Sequence, residues 1–330
     1  MWSLSRSPQV REIQVAPGNG GTSELATNVP IAADDIPALV EYERGQRFDL
    51  TVIGPEVPLA LGLSDALRAA SLRVFGPSAK AARIESSKAF SKDFMRDNGI
   101  PTASYEVFQD YEAALDYLNG HPAPIVVKAS GLAAGKGSIV CHTDEEAHEA
   151  LRRIMRDRVF GQAGDRVVIE EFLTGQEASV LAFSDGDTVV PMALSQDHKP
   201  AYDGDIGPNT GGMGCYAPAE FIDDALLQRM MEEVLQPAVD GLRALGIPYV
   251  GVLYAGMMIA DDEFRALEFN CRFGDPETQV ILPLLETDIV SVMLACIDGQ
   301  LDRIHLSWSD EACVCVAMAP GGYPGRYKRG

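Results

Sequence analysis

Lysine is scarce in this sequence, which has seven lysines against twenty arginines among 330 residues. Basic side chains of both kinds number 27 and acidic side chains 48, which gives a formal net charge of −21. So large an acidic excess argues against a nucleic acid or an anionic membrane as partner, because binding to phosphates needs a basic surface. Hydrophobic residues make up 46% of the chain, which is enough for a core and excludes a disordered protein.

Long apolar runs and closely spaced cysteine pairs are also missing. The longest stretch without charge, residues 244–260, contains Pro248 and three glycines and is shorter than the ~20 residues of a membrane span. It therefore predicts a buried strand. The first residues lack the apolar core of a secretory signal. The six cysteines include no C-x-x-C pair, and Cys313 and Cys315 share one strand face, so we expect free thiols in a reducing cytoplasm.

The order of apolar segments and turns predicts an α/β fold of about two domains. Strand-like and helix-like segments alternate over residues 2–75, which indicates a doubly wound parallel sheet that lacks its first strand. A helix is predicted over residues 86–98. A small α/β region follows and ends in the strand RVVIEEFL. The third region is predicted to contain a long hairpin, a helix from about Ile289 and a strand near residues 312–319.

A glycine loop follows the apolar strand IVVKAS. It contains Gly131, Gly135, Lys136 and Gly137, but its spacing is not that of a Walker A loop, and a strand follows it instead of a helix. This pattern suits a flexible flap that covers phosphates with backbone N–H groups, although a simple hairpin has the same pattern. Lys128 lies on the preceding strand between apolar residues. It is either buried beside an anion or an edge lysine that extends into solvent.

The segment EEFLTGQE combines an apolar strand with a turn and an acidic residue. Its backbone could hydrogen-bond an adenine edge, while Glu177 could accept hydrogen bonds from ribose hydroxyls. The alternative is a solvated strand end.

The segment LEFNCRFGDPE carries the densest set of candidate side chains. Glu268, Asn270 and Arg272 share one strand face because side chains two apart point the same way. The alternate residues Phe269, Cys271 and Phe273 are predicted to point into the core. Two oxygen ligands and a guanidinium group suit Mg²⁺ that bridges phosphates, with the arginine holding an anion. An exposed polar face is the alternative. The turn that follows adds two carboxylates, Asp275 and Glu277.

A long loop is predicted from Gln196 to Tyr216. It contains the segments QDHK and PNTGGMG, and loops of this length in compact domains usually serve a function. Its glycines allow the backbone to approach a ligand closely. His198 is a poor candidate for a metal ligand, because no other histidine has the appropriate spacing to it.

Together these segments resemble the ATP-grasp ligases, and more closely the glycinamide ribonucleotide synthetase family of purine biosynthesis, the phosphoribosylamine–glycine ligases. The segments that carry the resemblance run in family order along nearly the whole chain: VAPGNGGT (15–22), GPEVPL (54–59), SKAFSKDFM (87–95), VVKASGLAAGKG (126–137), VIEEFLTGQEAS (168–179), SQDHK (195–199), GPNTGGMGCY (207–216) and LEFNCRFGDPETQ (267–279).

The resemblance implies a fold and a reaction. The fold is an ATP-grasp fold preceded by a doubly wound N-terminal domain. ATP phosphorylates the carboxylate of glycine, and the amine of 5-phosphoribosylamine attacks the resulting acyl phosphate to form an amide and release phosphate. Catalysis then consists of positioning and of neutralising negative charge. The implied cofactors are ATP with Mg²⁺ or Mn²⁺, and the expected state is a cytoplasmic monomer.

The resemblance also assigns roles to individual residues. Lys88 and Lys128 would contact ATP phosphates, with the loop glycines Gly131, Gly135 and Gly137 nearby. Glu171 and Leu173 would border adenine, and Glu177 the ribose.

In the same way, Glu268 and Asn270 would hold the metal, Arg272 would face the acyl phosphate, and Lys136 would act from the flap. The residues implied on the side of glycine and phosphoribosylamine are Asp197, Lys199, Asn209, Thr210, Gly211, Gly212, Met213, Gly214, Asp275 and Glu277.

The implied domains are an N-terminal domain (1–85), a linking helix (86–102), a small lid subdomain (103–173), a large catalytic subdomain (174–305) and the start of a C-terminal domain (306–330). The family begins with a strand and a glycine-rich turn before the helix that starts here at Trp2. It also continues for about one further domain after a motif like GGYPG (321–325). We therefore expect an incomplete gene model or a fragment. Upstream DNA that encodes no strand and glycine turn would contradict this expectation.

Two other functions stay open at the level of the sequence. One is another ATP-grasp carboxylate–amine ligase with a different acceptor, and the other is a catalytically incomplete fragment that only binds ATP. An assay of ADP release with different substrate pairs separates these possibilities from the first.

Overall fold

The structure, a computed structural model, describes residues 1–133, 135–204, 206–325 and 327. Three predicted loops include residues outside this set. The residues outside the set are Ala134 in the glycine loop, Asp205 in the 196–216 loop, and residues 326 and 328–330 in the C-terminal segment.

Short strands and helices alternate in the N-terminal region. They are α1 (Trp2–Ser5), β1 (Gln14–Val15), β2 (Thr27–Asn28), α2 (Ile36–Gln46), β3 (Thr51–Val52), α3 (Glu56–Ala60), α4 (Leu63–Ala69), β4 (Val74–Phe75) and α5 (Arg83–Ser86). The predicted parallel pairing is confirmed, because β1 pairs with β2 and β3 with β4 in parallel. The two pairs form separate sheets, since strands of two residues offer few backbone hydrogen bonds for a continuous sheet.

A long helix leads into a small four-stranded region. The elements are α6 (Lys88–Asp97), β5 (Tyr105–Phe108), α7 (Tyr111–Gly120), β6 (Ile125–Ala129), β7 (Ser138–Cys141), α8 (Asp144–Leu151), which continues as a π-helical turn (Arg152–Arg156), and β8 (Val167–Glu171). The Ser87 side chain caps α6 by accepting a hydrogen bond from Phe90 N at 3.3 Å. The strand order β5-β8-β6-β7 is antiparallel throughout, and α7 and α8 cover one face of the sheet with apolar side chains.

The third region contains a larger antiparallel sheet. The elements of this region are β9 (Gln176–Asp185), β10 (Val189–Pro191), β11 (Gln196–Asp197), β12 (Pro200–Tyr202), β13 (Ile206–Asn209), β14 (Gly214–Ala217), α9 (Asp224–Met230), a π-helical turn (Met231–Leu235), α10 (Gln236–Ala244), β15 (Val250–Ala260), β16 (Glu263–Asn270), α11 (Thr278–Ile281), α12 (Ile289–Asp298) and β17 (Cys313–Val316). The sheet order is β10-β9-β15-β16, and the predicted hairpin is confirmed as β15–β16. Short 3₁₀ turns lie at Thr22–Glu24, Gly161–Asp165, Leu282–Leu284 and Leu301–Arg303.

The sequence predicted a long loop over residues 196–216, but this segment is not a continuous loop in the structure. It contains four short strands, in which β11 pairs with β14 and β12 with β13. The strand β14 also pairs with β17, so that a three-stranded sheet β11-β14-β17 supports this segment. Three of the glycines that indicated a loop, Gly207, Gly212 and Gly214, instead lie at tight approaches. A Cβ atom on Gly214, for example, would come within 2.8 Å of the Cys315 carbonyl oxygen.

Hydrogen bonds join the small sheet to the large one beside α6. The Thr102 hydroxyl donates to the Ala266 carbonyl oxygen at 2.6 Å, and Ala266 N donates to the Pro101 carbonyl oxygen at 2.8 Å. One apolar cluster spans the N-terminal region, α6, α10 and the large sheet. Within the described residues, no helix combines the length and apolar character needed to cross a membrane.

Candidate active site between the two sheets

A pocket lies where α6, the small sheet and the end of β16 meet. The residues that line it are Ile84, Glu85, Lys88, Ser91, Lys92, Glu170, Leu267, Glu268 and Phe269. Two side chains come from one face of α6, because Lys88 and Lys92 are four residues apart. The pocket is therefore lined by charged groups from four different elements, α5, α6, β8 and β16.

A buried ionic cluster forms one wall of this pocket. The ammonium groups of Lys92 and Lys128 both contact Glu170 Oε2, at 3.1 and 2.8 Å, and the side chains are between 2% and 7% exposed. Lys92 Nζ also donates to the Thr102 hydroxyl at 2.7 Å. Burial lowers the pKa of Lys92 to about 8, although Glu170 opposes the shift. The expected anion beside Lys128 is thus the Glu170 carboxylate, which sequence reasoning did not single out.

Lys88 and Glu268 form a second ion pair at the pocket. Lys88 Nζ lies 3.0 Å from Glu268 Oε2, and both side chains are partly exposed. The nearby Lys88 charge holds the pKa of the Glu268 carboxyl well below its usual range, against the effect of burial. The backbone N–H of Lys88 donates to the Ser130 carbonyl oxygen at 2.7 Å, which fixes the start of α6 against the end of β6.

The burial pattern after Glu268 agrees with the predicted alternation, although the strand β16 ends at Asn270 and residues 271–273 lie beyond it. Phe269 and Cys271 are buried, whereas Asn270 and Arg272 are half-buried. Arg272 is held by two carboxylates, with Nε donating to Glu56 Oε2 at 2.9 Å and Nη2 lying 3.5 Å from Glu85 Oε1. Burial opposes the charged form of Arg272, but these carboxylates outweigh it and raise its pKa.

Glu85 in turn accepts hydrogen bonds from the backbone N–H and the thiol of Cys271 at 2.7 and 2.9 Å. Burial raises the pKa of Glu85, although Arg272 opposes the shift. The buried Glu85 carboxylate therefore fixes both the backbone and the arginine just beyond the end of β16.

The glycine loop between β6 and β7 is closely packed at its two ends. A Cβ atom on Gly131 would lie 2.7 Å from Ala163 Cα, and one on Gly137 would lie 2.6 Å from Ala133 Cβ. Gly135 has a φ of +73°, in the left-handed region that favours glycine. Lys136 is exposed in this loop.

The candidate nucleoside side is formed by the ends of β8 and β9. Glu171 is half-buried, accepts a hydrogen bond from Ser104 N at 3.1 Å and forms an ion pair with Arg265, and Leu173 is half-buried two residues on. Glu177 forms an ion pair with Lys199 at 3.0 Å, so Lys199 is brought to the edge of the same sheet. Burial opposes the charge on Lys199, but Tyr254, Glu177 and other groups raise its pKa well above its usual value.

Asp197 is buried beside Lys199 and is 9% exposed. Its Oδ1 atom is buried without a hydrogen-bond partner among the described residues. Burial, with Glu277 and Glu177 nearby, raises the pKa of Asp197 to about 7, although Lys199 opposes the shift. Gly212 faces this carboxylate, since an added Cβ would lie 2.7 Å from Oδ1 and 2.4 Å from Pro276 Cδ.

The rest of the PNTGGMG segment folds back on this carboxylate. The Thr210 hydroxyl donates to the Lys199 carbonyl oxygen at 2.8 Å and accepts from Gly212 N at 3.0 Å. Met213 N donates to the His198 carbonyl oxygen at 2.7 Å. Asn209 and Gly211 are exposed, and Gly214 pairs with β17.

Glu277 lies deeper, 2% exposed, at the end of the RFGDPE turn. Its Oε1 atom accepts hydrogen bonds from the Tyr254 hydroxyl at 2.6 Å and the Ser179 hydroxyl at 2.9 Å. Asp275 is exposed and accepts from the Gln279 side chain at 2.6 Å. Of the two carboxylates predicted in this turn, Glu277 is therefore buried beside the Asp197 cluster and Asp275 faces outward.

Several residues of these clusters were not predicted from the sequence: Glu56, Glu85, Lys92, Glu170, Ser179 and Tyr254. The i, i+4 spacing of Lys88 and Lys92 was a usable signal, because both lie on one face of α6. The other contacts join segments far apart in the chain, such as Glu56 with Arg272, and no local pattern reveals them.

The fold and the charged pocket define an ATP-grasp ligase. The structure matches the solved biotin carboxylase of Campylobacter jejuni with a TM-score of 0.70 over 92% of this chain and 68% of that one, at 16% identity, which shows the fold alone. The family model described as "Phosphoribosylglycinamide synthetase, ATP-grasp (A) domain" matches residues 86–278, and "Phosphoribosylglycinamide synthetase, N domain" matches residues 1–85. The chain belongs to the phosphoribosylglycinamide synthetase family.

Relatives with high identity agree with this assignment. The chain is 52% identical to a phosphoribosylamine–glycine ligase of Allochromatium vinosum, with 100% of this chain and 78% of the relative covered. It is also 52% identical to a trifunctional purine biosynthetic protein, adenosine-3, of Gallus gallus, covering 33% of that longer protein. The solved phosphoribosylamine–glycine ligase of Thermotoga maritima is 32% identical, with a TM-score of 0.84 over 98% of this chain and 78% of that one. As an ATP-grasp ligase, the protein uses ATP.

Proposed function

We propose that this protein joins glycine to 5-phosphoribosylamine in purine biosynthesis, with ATP converted to ADP and phosphate. The observation that carries the proposal is the placement of Lys88 in the pocket beside Glu268, with Lys128 against Glu170 in the wall of the same pocket. In a protein with a net charge of −21, these two ammonium groups are local cations that an anionic ligand can contact. Family membership supplies the reaction.

In this proposal, the nucleotide lies between the two sheets. Lys88 and Lys128 contact its phosphates, and the backbone of the loop 131–137, with Lys136, covers them. Glu171 and Leu173 border adenine, and Glu177 accepts hydrogen bonds from the ribose. Lys88 and Lys128 each contact a carboxylate that lines the pocket, Glu268 and Glu170 respectively.

The residues at the end of β16 fit a divalent metal ion. Glu268 and Asn270 lie two apart on one partly exposed face and supply one carboxylate and one amide oxygen. Mg²⁺ is typically held by one or two carboxylates together with nucleotide phosphates, and the described residues contain no cluster of three His, Cys, Asp or Glu that would form an all-protein site. Bound there, Mg²⁺ or Mn²⁺ would neutralise phosphate charge.

The reaction needs positioning and charge neutralisation. A carboxylate oxygen of glycine attacks the terminal phosphorus of ATP, and the bond to the ADP oxygen breaks. The amine nitrogen of phosphoribosylamine then attacks the glycyl carbon, loses a proton and displaces phosphate. Arg272, held by Glu56 and Glu85, faces the acyl phosphate and stabilises its negative charge.

The substrate side is formed by the segment 196–214 and the RFGDPE turn. Asp197 and Glu277 are buried carboxylates suited to the ammonium group of glycine, and Lys199 is suited to an anionic group. The backbone of residues 209–214, with Asp275 at the rim, completes this side. The six free cysteines, four of them buried, support a reducing compartment such as the cytoplasm.

Release of ADP tests the proposed function. We expect ADP to appear only when both glycine and phosphoribosylamine are present. Dependence on another acid and amine would replace the substrate assignment, and nucleotide binding without turnover would leave only an ATP-binding module.

Arg272→Lys provides a variant for the same assay. We expect a kcat at least about 10-fold lower with nucleotide affinity unchanged, because lysine cannot form the two-sided contacts of the guanidinium group. An unchanged kcat would remove Arg272 from the reaction.

A further inference from the structure

Lys92 is a buried charged group to which the proposed reaction gives no part. Its side chain is 3% exposed on α6 and contacts Glu170 and the Thr102 hydroxyl. A buried lysine is costly unless its charge is paired, so its presence needs an explanation in the cluster itself.

The charges of this cluster do not balance. The ammonium groups of Lys92 and Lys128 share a single oxygen, Oε2 of Glu170, while Oε1 is buried without a hydrogen-bond partner among the described residues. Two positive charges therefore face one negative charge. The neighbouring pair, Lys88 with Glu268, is balanced. One ammonium group in the cluster is surplus and can be used for an anionic ligand.

The surroundings show which ammonium group can move. Lys92 is anchored a second time through Thr102, whose hydroxyl is bonded to Ala266 in the strand β16. Lys128 lies on β6, next to the glycine loop that begins after Ser130. Lys92 is thus fixed by two elements, and Lys128 is the group closer in sequence to the proposed phosphate-covering loop.

We propose that Lys92 is a positioning residue for nucleotide binding: it neutralises Glu170 so that the Lys128 ammonium group can leave this carboxylate and bind a nucleotide phosphate. The proposal rests on the phosphate contact of Lys128 in the proposed function. Without Lys92, Lys128 is the only counter-ion of a buried carboxylate, and releasing it to the nucleotide leaves that carboxylate unpaired.

The test is a binding measurement on the full chain, with ADP and ATP as separate ligands and with neither glycine nor phosphoribosylamine present. Lys92→Met is expected to raise the Kd of both nucleotides about 10-fold or more, which corresponds to about 1.4 kcal/mol. Lys80→Met is the matched control, since it removes the same charge from an exposed lysine and is expected to change the Kd less than about 2-fold. An unchanged Kd for Lys92→Met would overturn the proposal.

A second pair of variants separates positioning from a structural role. Once Glu170→Gln has removed the carboxylate, Lys128 needs no release, so adding Lys92→Met is expected to leave the Kd of Glu170→Gln within about 3-fold. Equal weakening by Lys92→Met with and without Glu170→Gln would overturn the proposal. This comparison still decides the question if Lys92→Met alone fails to fold.

Turnover gives a further readout. Lys92→Met is expected to raise the KM for ATP and leave the KM for glycine unchanged, with Lys92→Arg close to the parent because it keeps the charge. An equal rise in both KM values would contradict the proposal. The binding measurements do not require turnover, so they test the proposal even if the protein does not catalyse the proposed ligase reaction.

Discussion

The carboxylate of Asp197 lies in surroundings that disfavour its charge. It is buried, its Oδ1 atom has no hydrogen-bond partner in the part of the chain that the structure describes, and two further carboxylates are near. Burial raises its pKa to about 7, against an ordinary value of about 4 in an unfolded chain. Between these two values the folded protein binds a proton that the unfolded chain releases, so the free energy of unfolding falls as the pH rises from about 4 to 7.

Asp197→Asn should therefore stabilise the protein at high pH. We expect a free energy of unfolding about 1–3 kcal/mol higher than that of the parent at pH 8, and a smaller gain at pH 5, where part of the parent carboxyl is already protonated. Denaturant unfolding at the two pH values measures this gain. Asp203→Asn, at an exposed site, is the control and should show the same small effect at both values. A gain that does not grow with pH would contradict the raised pKa.

The position of a residue could be predicted from the sequence where it depends on neighbouring residues in the chain, and not where it depends on tertiary contacts. Glu268 and Asn270 could be assigned to one face because strand periodicity is a property of neighbouring residues, whereas Arg272 lies beyond the end of β16. The partner of Lys128 could not be found in this way. Glu170 approaches it only because β6 and β8 pair in the folded sheet. The burial of a charge can be expected from sequence, but its counter-ion depends on tertiary structure.

At the scale of elements, α6 is held in place by close packing against α10. Gly241 of α10 faces the C-terminal end of α6, where an added Cβ would lie 2.3 Å from Asn98 Oδ1 and 2.9 Å from Phe94 Cζ. Asn98 is itself held by a hydrogen bond to the Phe94 carbonyl oxygen at 2.8 Å. Because α6 carries Lys88, this contact positions the candidate nucleotide site as well as the core.

Gly241→Ala should separate α10 from α6. We expect a loss of about 1–3 kcal/mol in the free energy of unfolding, because the added methyl group has no space. Gly45→Ala is the matched control within α2, where no atom lies within 4 Å of the added Cβ. It should raise the stability by up to about 1 kcal/mol, as alanine favours helix over glycine. Equal effects of the two substitutions in denaturant unfolding would refute the packing argument.

Elements were predicted best where the apolar pattern is long. The hairpin β15–β16 and the helix α12 were recognised from continuous patterns. The strands β11, β12, β13 and β14 were not, because they have two to four residues and the last three contain glycine or proline. Their pairing with each other and with β17 stabilises them, and a single-sequence pattern carries no record of that pairing.

At the scale of the whole molecule, the net charge of −21 opposes both folding and the binding of anions. Many surface ion pairs join Arg to Asp or Glu, whereas Lys88, Lys92 and Lys128 lie at the pocket. The acidic surplus is thus distributed over the surface, and the cations at the site act over a short range.

Salt should therefore stabilise the protein. Raising NaCl from 0.01 to 0.1 M shortens the screening length from about 30 to about 10 Å, which weakens long-range repulsion more than short-range ion pairs. We expect the Tm to rise by a few degrees in thermal unfolding. KCl should give the same rise, because screening depends on ionic strength, and a Tm that falls with either salt would show that attractive pairs dominate.

The sheet β11-β14-β17 also bears on how the protein is synthesised. Gly214 pairs with Val316, so β14, the middle strand of this sheet, can pair fully only after a strand about a hundred residues further along the chain has been synthesised. At translation rates of about 5–20 residues per second, that delay is roughly 5–20 s. During this interval one edge of β14 has unpaired backbone groups, which other chains can bind. Until β17 has been synthesised, the candidate substrate segment is therefore more prone to aggregation than it is in the folded protein.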